Sequence, residues 1–221
     1  MIKFDALGIL VRPRFWAAKL IYDLSFAILL RDTAWQEDLL SSLEPKGGDR
    51  TLLFGPGSSS SAILLALHNP NATFVVVDPS SKAAEWTRLT AVRKRLENVT
   101  VMHVSRAHQL PVNAGSFDAV ICMLALHDSP PDEKLGLIRE MTRVLRHAGT
   151  LRLVDFDKPE TPGERRILEL GRRVSGTLAV ASHLDGSWIG VLAKVGVAGA
   201  RREFSHSVGV GRISMVKARK R

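Results

Sequence analysis

Three groups of residues in this chain have types and spacing suited to chemistry. The first is the turn Gly55-Pro56-Gly57, preceded by Phe54 and followed by Ser58, Ser59, Ser60 and Ser61. Glycines two apart permit a tight turn and let a ligand approach bare backbone. The serines behind them start an apolar helix, and free N–H groups at a helix start favour a carboxylate or phosphate. The second is Asp78, at the end of the next apolar run. A carboxylate there can accept both hydroxyls of a ribose. The third is His127 with Asp128 and, later in the chain, Asp155. An imidazole titrates near neutral pH and can take a proton, while a carboxylate orients it or binds substrate.

Alternating segments must hold these groups. "TLLF" at 51–54 is a short buried strand, and Ser60 to His68 reads as a helix stopped at Asn69-Pro70. "TFVVVD" at 73–78 is a β-branched strand ending on Asp78. A helix over 81–96 sets Trp86, Leu89, Val92 and Leu96 on one stripe, and "VTVMHV" at 99–104 is a third strand. "FDAVICML" at 117–124 is nearly continuous apolar, as a parallel strand covered on both faces is. Ser129 is placed to cap the next helix, with Leu135, Ile138, Thr142 and Leu145 on its inner side and Gly149 at its end. "TLRLVDF" at 150–156 is a fifth strand, 162–195 is mostly helical, and "ARREFSHSV" with "GRISMVKAR" forms a closing antiparallel pair. Ahead of the first strand, Thr33 and Gln36 have capping-box spacing, and Trp35, Leu39 and Leu43 share a face.

This alternation implies an α/β fold around a mostly parallel sheet, with ligands beyond the carboxyl ends of the strands. Hydrophobic residues are 45% and charged residues 24% of the 221, as in ordinary soluble proteins. The single cysteine, Cys122, excludes an intramolecular disulfide and, inside "AVICMLAL", reads as a buried inert thiol. No run reaches the ~18 apolar residues of a membrane span, and no signal-peptide pattern is present, so a cytoplasmic protein is expected. The net charge of +9 attracts phosphate in nucleic acid or on anionic membranes. No metal-ligand spacing, Walker loop or Gly-x-Ser-x-Gly elbow occurs.

Dinucleotide enzymes and methyltransferases both use the glycine turn and the strand-end Asp, and the second half of the chain separates them. "LPV", "GSFDAV", "REMTRVLRHAGTL" and "VDFDKP" follow in order after Asp78. With them the chain resembles the class I S-adenosylmethionine-dependent methyltransferases, nearest to the ubiquinone/menaquinone C-methyltransferase group. The resemblance implies a Rossmann-like, doubly wound, mostly parallel seven-stranded sheet with a closing antiparallel strand and an N-terminal helical lid. Residues 1–45 would be the lid segment and 46–221 the methyltransferase domain. S-adenosylmethionine is the implied cofactor. Phe54, Gly55, Pro56, Gly57, Ser58 and Ser59 would surround its methionine part, with Cys122 and Met123 presenting backbone carbonyls to the amino group. Asp78 would bind the ribose, Pro79 and Ser80 would flank the adenine, and Arg106 and Ala107 would lie beside its edge. His127 and Asp128 would follow on the acceptor side as the catalytic pair, and Asp155 would orient His127 or bind the acceptor.

Three positions depart from the family pattern. Leu53 stands where an acid is usual, Ser59 where a third glycine is usual, and Arg106 where an acid beside the adenine is usual. These weaken the charged part of the site and leave open a non-catalytic scaffold that kept the fold. The lid carries Trp16, Tyr22 and Phe26 among Lys and Arg, which suits a small or lipid-like apolar acceptor, quinone-like or lipid, taken from an anionic membrane surface. A nucleic-acid substrate is disfavoured, because "LALHDSPP" stands where a base-handling Asn/Asp-Pro-Pro-Tyr motif is expected.

Overall fold

The structure is a computed structural model that describes residues 34–104, 108–175, 177–208 and 211–221. Five strands run parallel: β1 (Arg50–Phe54), β2 (Thr73–Asp78), β3 (Val99–His103), β4 (Phe117–Met123) and β5 (Leu145–Phe156). β6 (Val197–Val208) and β7 (Gly211–Lys220) complete a seven-stranded sheet of order β3-β2-β1-β4-β5-β7-β6. β7 is antiparallel to both β5 and β6, so the reversed strand lies inside the sheet and β6 takes the edge. The winding direction switches between β1 and β4, which sets a crevice beyond their carboxyl ends.

The run of apolar residues in each parallel strand demands cover on both faces. One face carries Leu53, Phe74, Val76, Ile121, Met123 and Val154, and the other Leu52, Val75, Val77, Val120, Cys122 and Leu153. Trp35 and Leu39 of α1 (Ala34–Ser41) and Ala62, Leu65 and Ala66 of α2 (Ser58–His68) close the first face. α3 (Ser81–Arg93) lies beside α2. Leu137, Ile138, Met141 and Val144 of α4 (Pro131–Val144) close the second face. Leu168 of α5 (Pro162–Ser175) and Ala179 and Val180 of α6 (Thr177–Asp185) join the first face, while Trp188 and Leu192 of the 3-10 segment Ser187–Lys194 join the second.

Four details differ from the sequence expectation. α2 begins at Ser58, two residues before the expected Ser60, because Gly57 takes a left-handed φ of 86° and caps it. α3 turns its large apolar stripe outward: Trp86, Leu89 and Val92 are 51%, 56% and 76% exposed. Its buried side is Ala84, Thr87 and Ala91, small residues that let it pack close. α4 is preceded by Pro130 rather than capped by Ser129, whose hydroxyl donates to the Ala125 carbonyl at 3.1 Å. Leu135 on α4 is only half-buried, and Leu145 already belongs to β5.

The fourth detail is Gly149, which does not end α4. The helix stops at Val144, where Leu145 pairs with Phe117, and the chain bulges before Thr150 pairs with Ala119. Gly149 lies in that bulge, where a Cβ would meet the Arg146 carbonyl oxygen at 2.9 Å and the Asp118 carbonyl oxygen at 3.1 Å. Both contacts are backbone and give way only if the bulge shifts. Gly149→Ala is expected to lower stability by about 1–3 kcal/mol, read as a lower urea midpoint with an unchanged slope.

Candidate cofactor and acceptor site

Gly55 follows β1 with φ +97°, and a Cβ there would stand 2.1 Å from the Met123 carbonyl oxygen. The glycine is therefore demanded by the packing of the turn on β4, a different reason from the ligand approach expected of it. The same contact sets the Met123 carbonyl against the Gly55 turn. The N–H groups of Ser58 and Ser61 bond to the carbonyls of Gly55 and Gly57 at 3.1 and 3.3 Å. Their hydroxyls are buried without a hydrogen-bond partner among the described residues. Ser59 is otherwise engaged: its hydroxyl shares a 2.6 Å hydrogen bond with that of Thr87, tying α2 to α3. Phe54 is buried in the second face of the core.

Asp78 ends β2 with 5% of its surface exposed. One carboxylate oxygen accepts the Ser80 N–H at 2.7 Å, and the Ser80 hydroxyl caps α3 through the Ala83 N–H. Burial raises the Asp78 pKa, against the Ser80 bond and nearby His103, which lower it. Asp78 lines a cleft of about 370 Å³ with Gln36, Pro56, Gly57, Ser59, Ser60, Ser80, Ala83 and Trp86. Pro79 is exposed, and its carbonyl lies 3.2 Å from the His103 ring. Pro56 and Gly57 of the turn, Ser59 and Ser60 at the start of α2 and the strand-end carboxylate are thus brought together in one cleft. Arg106, Ala107, Trp16, Tyr22 and Phe26 lie outside the described residues.

β4 ends abruptly. Leu124 follows it at φ +50°, a backbone state costing roughly 1–3 kcal/mol for a non-glycine residue. The turn is held by the Leu124 N–H on the Val154 carbonyl at 2.7 Å. Cys122 is paired on both sides in the ladder and fully buried; burial and the Asp155 charge push its thiol far above the usual range. It is not a nucleophile.

Beyond that turn, His127 and Asp155 form a buried pair. The Asp155 carboxylate accepts His127 Nδ1–H at 2.7 Å, the Leu126 N–H at 2.7 Å and the Phe156 N–H at 2.8 Å. His127 Nε2 stands 3.4 Å from half-exposed Asp128, and its ring meets Phe156 edge-on at 4.8 Å. Burial opposes charge on His127, but Asp155 and then Asp128 outweigh it, so its pKa is raised. Burial likewise opposes charge on Asp155, yet His127 and the other donors hold its pKa down at about 2.

Two further groups reach this cluster that sequence reasoning missed. Lys134 of α4 is buried; its Nζ donates to the Ala179 carbonyl and to the Ser182 hydroxyl at 3.0 Å, and burial lowers its pKa to about 8. His183 of α6 donates Nδ1–H to the Phe156 carbonyl at 2.6 Å and stacks on Trp188 with centroids 5.3 Å apart. Burial lowers its pKa to about 4. Asp157, just after β5, accepts Trp188 Nε1–H at 3.0 Å, an Arg202 Nη–H at 3.0 Å and the Ser214 hydroxyl, and pairs with the Arg202 guanidinium, joining the end of β5 to β6, β7 and the 3-10 segment. The local pattern around Lys134 and His183 carries no signal for this meeting, since their partners lie tens of residues away.

A parallel sheet of this order with one internal reversed strand, and a glycine turn facing a strand-end Asp, defines the Rossmann-like methyltransferase class. Residues 52–153 match the family model of the methyltransferase domain. The 27-O-demethylrifamycin SV methyltransferase of Amycolatopsis mediterranei is 30% identical over 167 residues, 73% of this chain and 59% of that protein. The demethylmenaquinone methyltransferase of Listeria monocytogenes is 26% identical over 160 residues, 70% of this chain and 66% of that protein. The matches therefore span about three fifths to two thirds of these relatives. PigF, solved with SAH, superposes with a TM-score of 0.69 over 97% of this chain and 69% of its own, at 16% identity, which shows the fold.

The pair gives a signed pH dependence. The raised His127 pKa contributes stability that is full below the ordinary value of 6.5 and lost as pH rises through the folded value. The lowered Asp155 pKa contributes stability present above 3.8 and lost as pH falls toward about 2. His183, lowered to about 4, acts the opposite way to His127 and costs stability below 6.5. The stability lost in His127→Gln is therefore expected to be largest between about pH 4 and 6.5 and to shrink above it, read by urea melts of both proteins across pH.

Proposed function

We propose that the chain is an S-adenosylmethionine-dependent methyltransferase acting on a small, apolar acceptor. The observation that carries this is the meeting of Pro56 and Gly57 of the glycine turn with the Asp78 carboxylate in one cleft. The cofactor, when bound, supplies an electrophilic methyl group on a sulfonium. The start of α2, with Gly57 as a cap lacking a side chain, would hold its carboxylate, and Asp78 its ribose hydroxyls. Leu53 is fully buried in the core cluster that contains Trp35 and Leu39, so the methionine end depends on backbone and hydroxyl groups in place of the usual acid. The two named relatives act, by their names, on demethylmenaquinone and on 27-O-demethylrifamycin SV, which supports a small-molecule acceptor.

His127 is the proton acceptor in this reading, for an acceptor hydroxyl or carbon acid. Asp155 favours the tautomer with the proton on Nδ1, so the incoming proton would be taken on Nε2, beside the Asp128 carboxylate at 3.4 Å. Because its pKa is raised, it is free to do so only above the ordinary histidine range. Calorimetry with S-adenosylhomocysteine tests the whole reading. Binding to the wild type is expected, and Asp78→Ala is expected to weaken it about tenfold or more. A folded wild type that binds neither S-adenosylmethionine nor its product would leave the non-catalytic scaffold.

The outward stripe on α3 supports acceptor capture at an anionic bilayer. Exposed Trp86, Leu89 and Val92 are flanked by exposed Lys82, Arg88, Arg93, Lys94 and Arg95, the apolar-and-basic mixture of interfacial helices. The earlier expectation put this contact on Trp16, Tyr22 and Phe26, outside the described residues. No helix among the described residues is long and apolar enough to cross a membrane. Flotation with phosphatidylglycerol-containing vesicles at low salt is expected, with a loss of several-fold in Trp86→Ser/Leu89→Ser; equal flotation of the variant removes α3 as the contact.

A further inference from the structure

Far from the Gly55–Asp78 cleft, a cavity of about 350 Å³ lies at the amino ends of the parallel strands. Its back is a single register row, Phe74, Thr51, Ala119 and Thr150, which continues to Arg219 on β7. Two rows on, on the same face, Arg152 of β5 lies opposite Lys217 of β7, and Lys217 opposite Arg201 of β6. Three cations in one cross-strand row repel one another and destabilise the sheet unless an anion sits among them.

The only carboxylate paired with that row among the described residues is Glu203. It stands 3.1 Å from Lys217, 3.4 Å from Arg201 and 3.9 Å from Arg152 Nε. One negative charge therefore serves three positive ones. Of the other acids at the cavity, Asp118 bonds Arg146 and the Arg50 N–H at 2.7 Å each, Asp49 accepts the Lys46 N–H at 2.9 Å, and Glu44 is exposed to solvent. Arg219 and Lys46 line the cavity with no ion pair among the described residues. Arg152 is the telling residue. The residue is 7% exposed, one Nη donates to the Ser42 carbonyl at 2.9 Å, and Nε is buried with no hydrogen-bond partner among the described residues. A buried guanidinium with an unused donor is costly to retain in a site that binds nothing.

We propose that this cavity binds a small phosphate-bearing molecule, through Arg152, Lys217 and Arg219 with Lys46 at its rim. Guanidinium forks match phosphate oxygens in pairs, and the mixed apolar wall of Leu43, Pro45 and Phe74 leaves room for a modest organic part. The site is separate from the cofactor cleft and does not depend on the methyltransferase reading.

The probe is inorganic pyrophosphate, added to the full chain at ionic strength matched with sodium chloride. A saturable rise in melting temperature is expected, with a dissociation constant weakened about tenfold in Arg219→Gln and in Lys217→Gln. Arg152→Gln is the direct variant. Should it fail to fold, the Arg219 variant, on an exposed side chain, carries the test alone. S-adenosylhomocysteine binding is expected to stay the same in Arg219→Gln, which separates this site from the other. No saturable shift in the wild type, or a shift that Arg219→Gln retains in full, means an adventitious ion only and overturns the proposal.

Discussion

The carboxylate of Asp155 is the constraint on which the acceptor end of this fold depends. It is fully buried, and a buried charge costs several kcal/mol unless it is surrounded by donors. Asp155 has three: two backbone N–H groups and His127. Two of them belong to the loop after β4, so the need to satisfy one carboxylate fixes that loop against β5. His127 then has one orientation and one neutral tautomer. Lys134 and His183 pack in the same neighbourhood, and their lowered pKa values register the same shortage of water.

The entrance to that loop is set by a second constraint, one of space. Gly55 leaves the Met123 carbonyl so close that no side chain fits between them. β4 therefore ends flush with β1, and Leu124 is driven into a left-handed backbone state before the chain can turn away. Both features serve the same geometry: the ends of β1 and β4 lie level, and the crevice beyond them opens toward Asp78. The departures at Leu53 and Ser59 fit this frame without filling it. Leu53 strengthens the core under the turn, and Ser59 ties α2 to α3 through Thr87.

Charge is divided between the two ends of the sheet. At the carboxyl ends the titratable groups are buried and matched, as in the Asp155 and Asp157 clusters. At the amino ends, near β7, cations outnumber the acids that meet them, with Glu203 shared among three. The basic excess that composition records as +9 is thus partly a local feature of this edge, where β5, β7 and β6 lie side by side.

The alternation of strands and helices, the bounds of β2, the glycine turn and the carboxylate at the end of the next strand were all legible in the sequence. Those are local properties: a β-branched run, an apolar period or a Gly-x-Gly declares itself within a few residues. Tertiary structure alone decided which face of α3 was buried, since its apolar stripe lies outward and its small residues inward. It decided that Gly149 serves a bulge and not a helix end, because Leu145 had first to meet Phe117. It decided what Gly55 makes room for, and that Lys134, His127, Asp155 and His183 share one buried cluster. Periodicity can announce that a face exists, but only the partner across the sheet, tens of residues away in the chain, settles what that face touches.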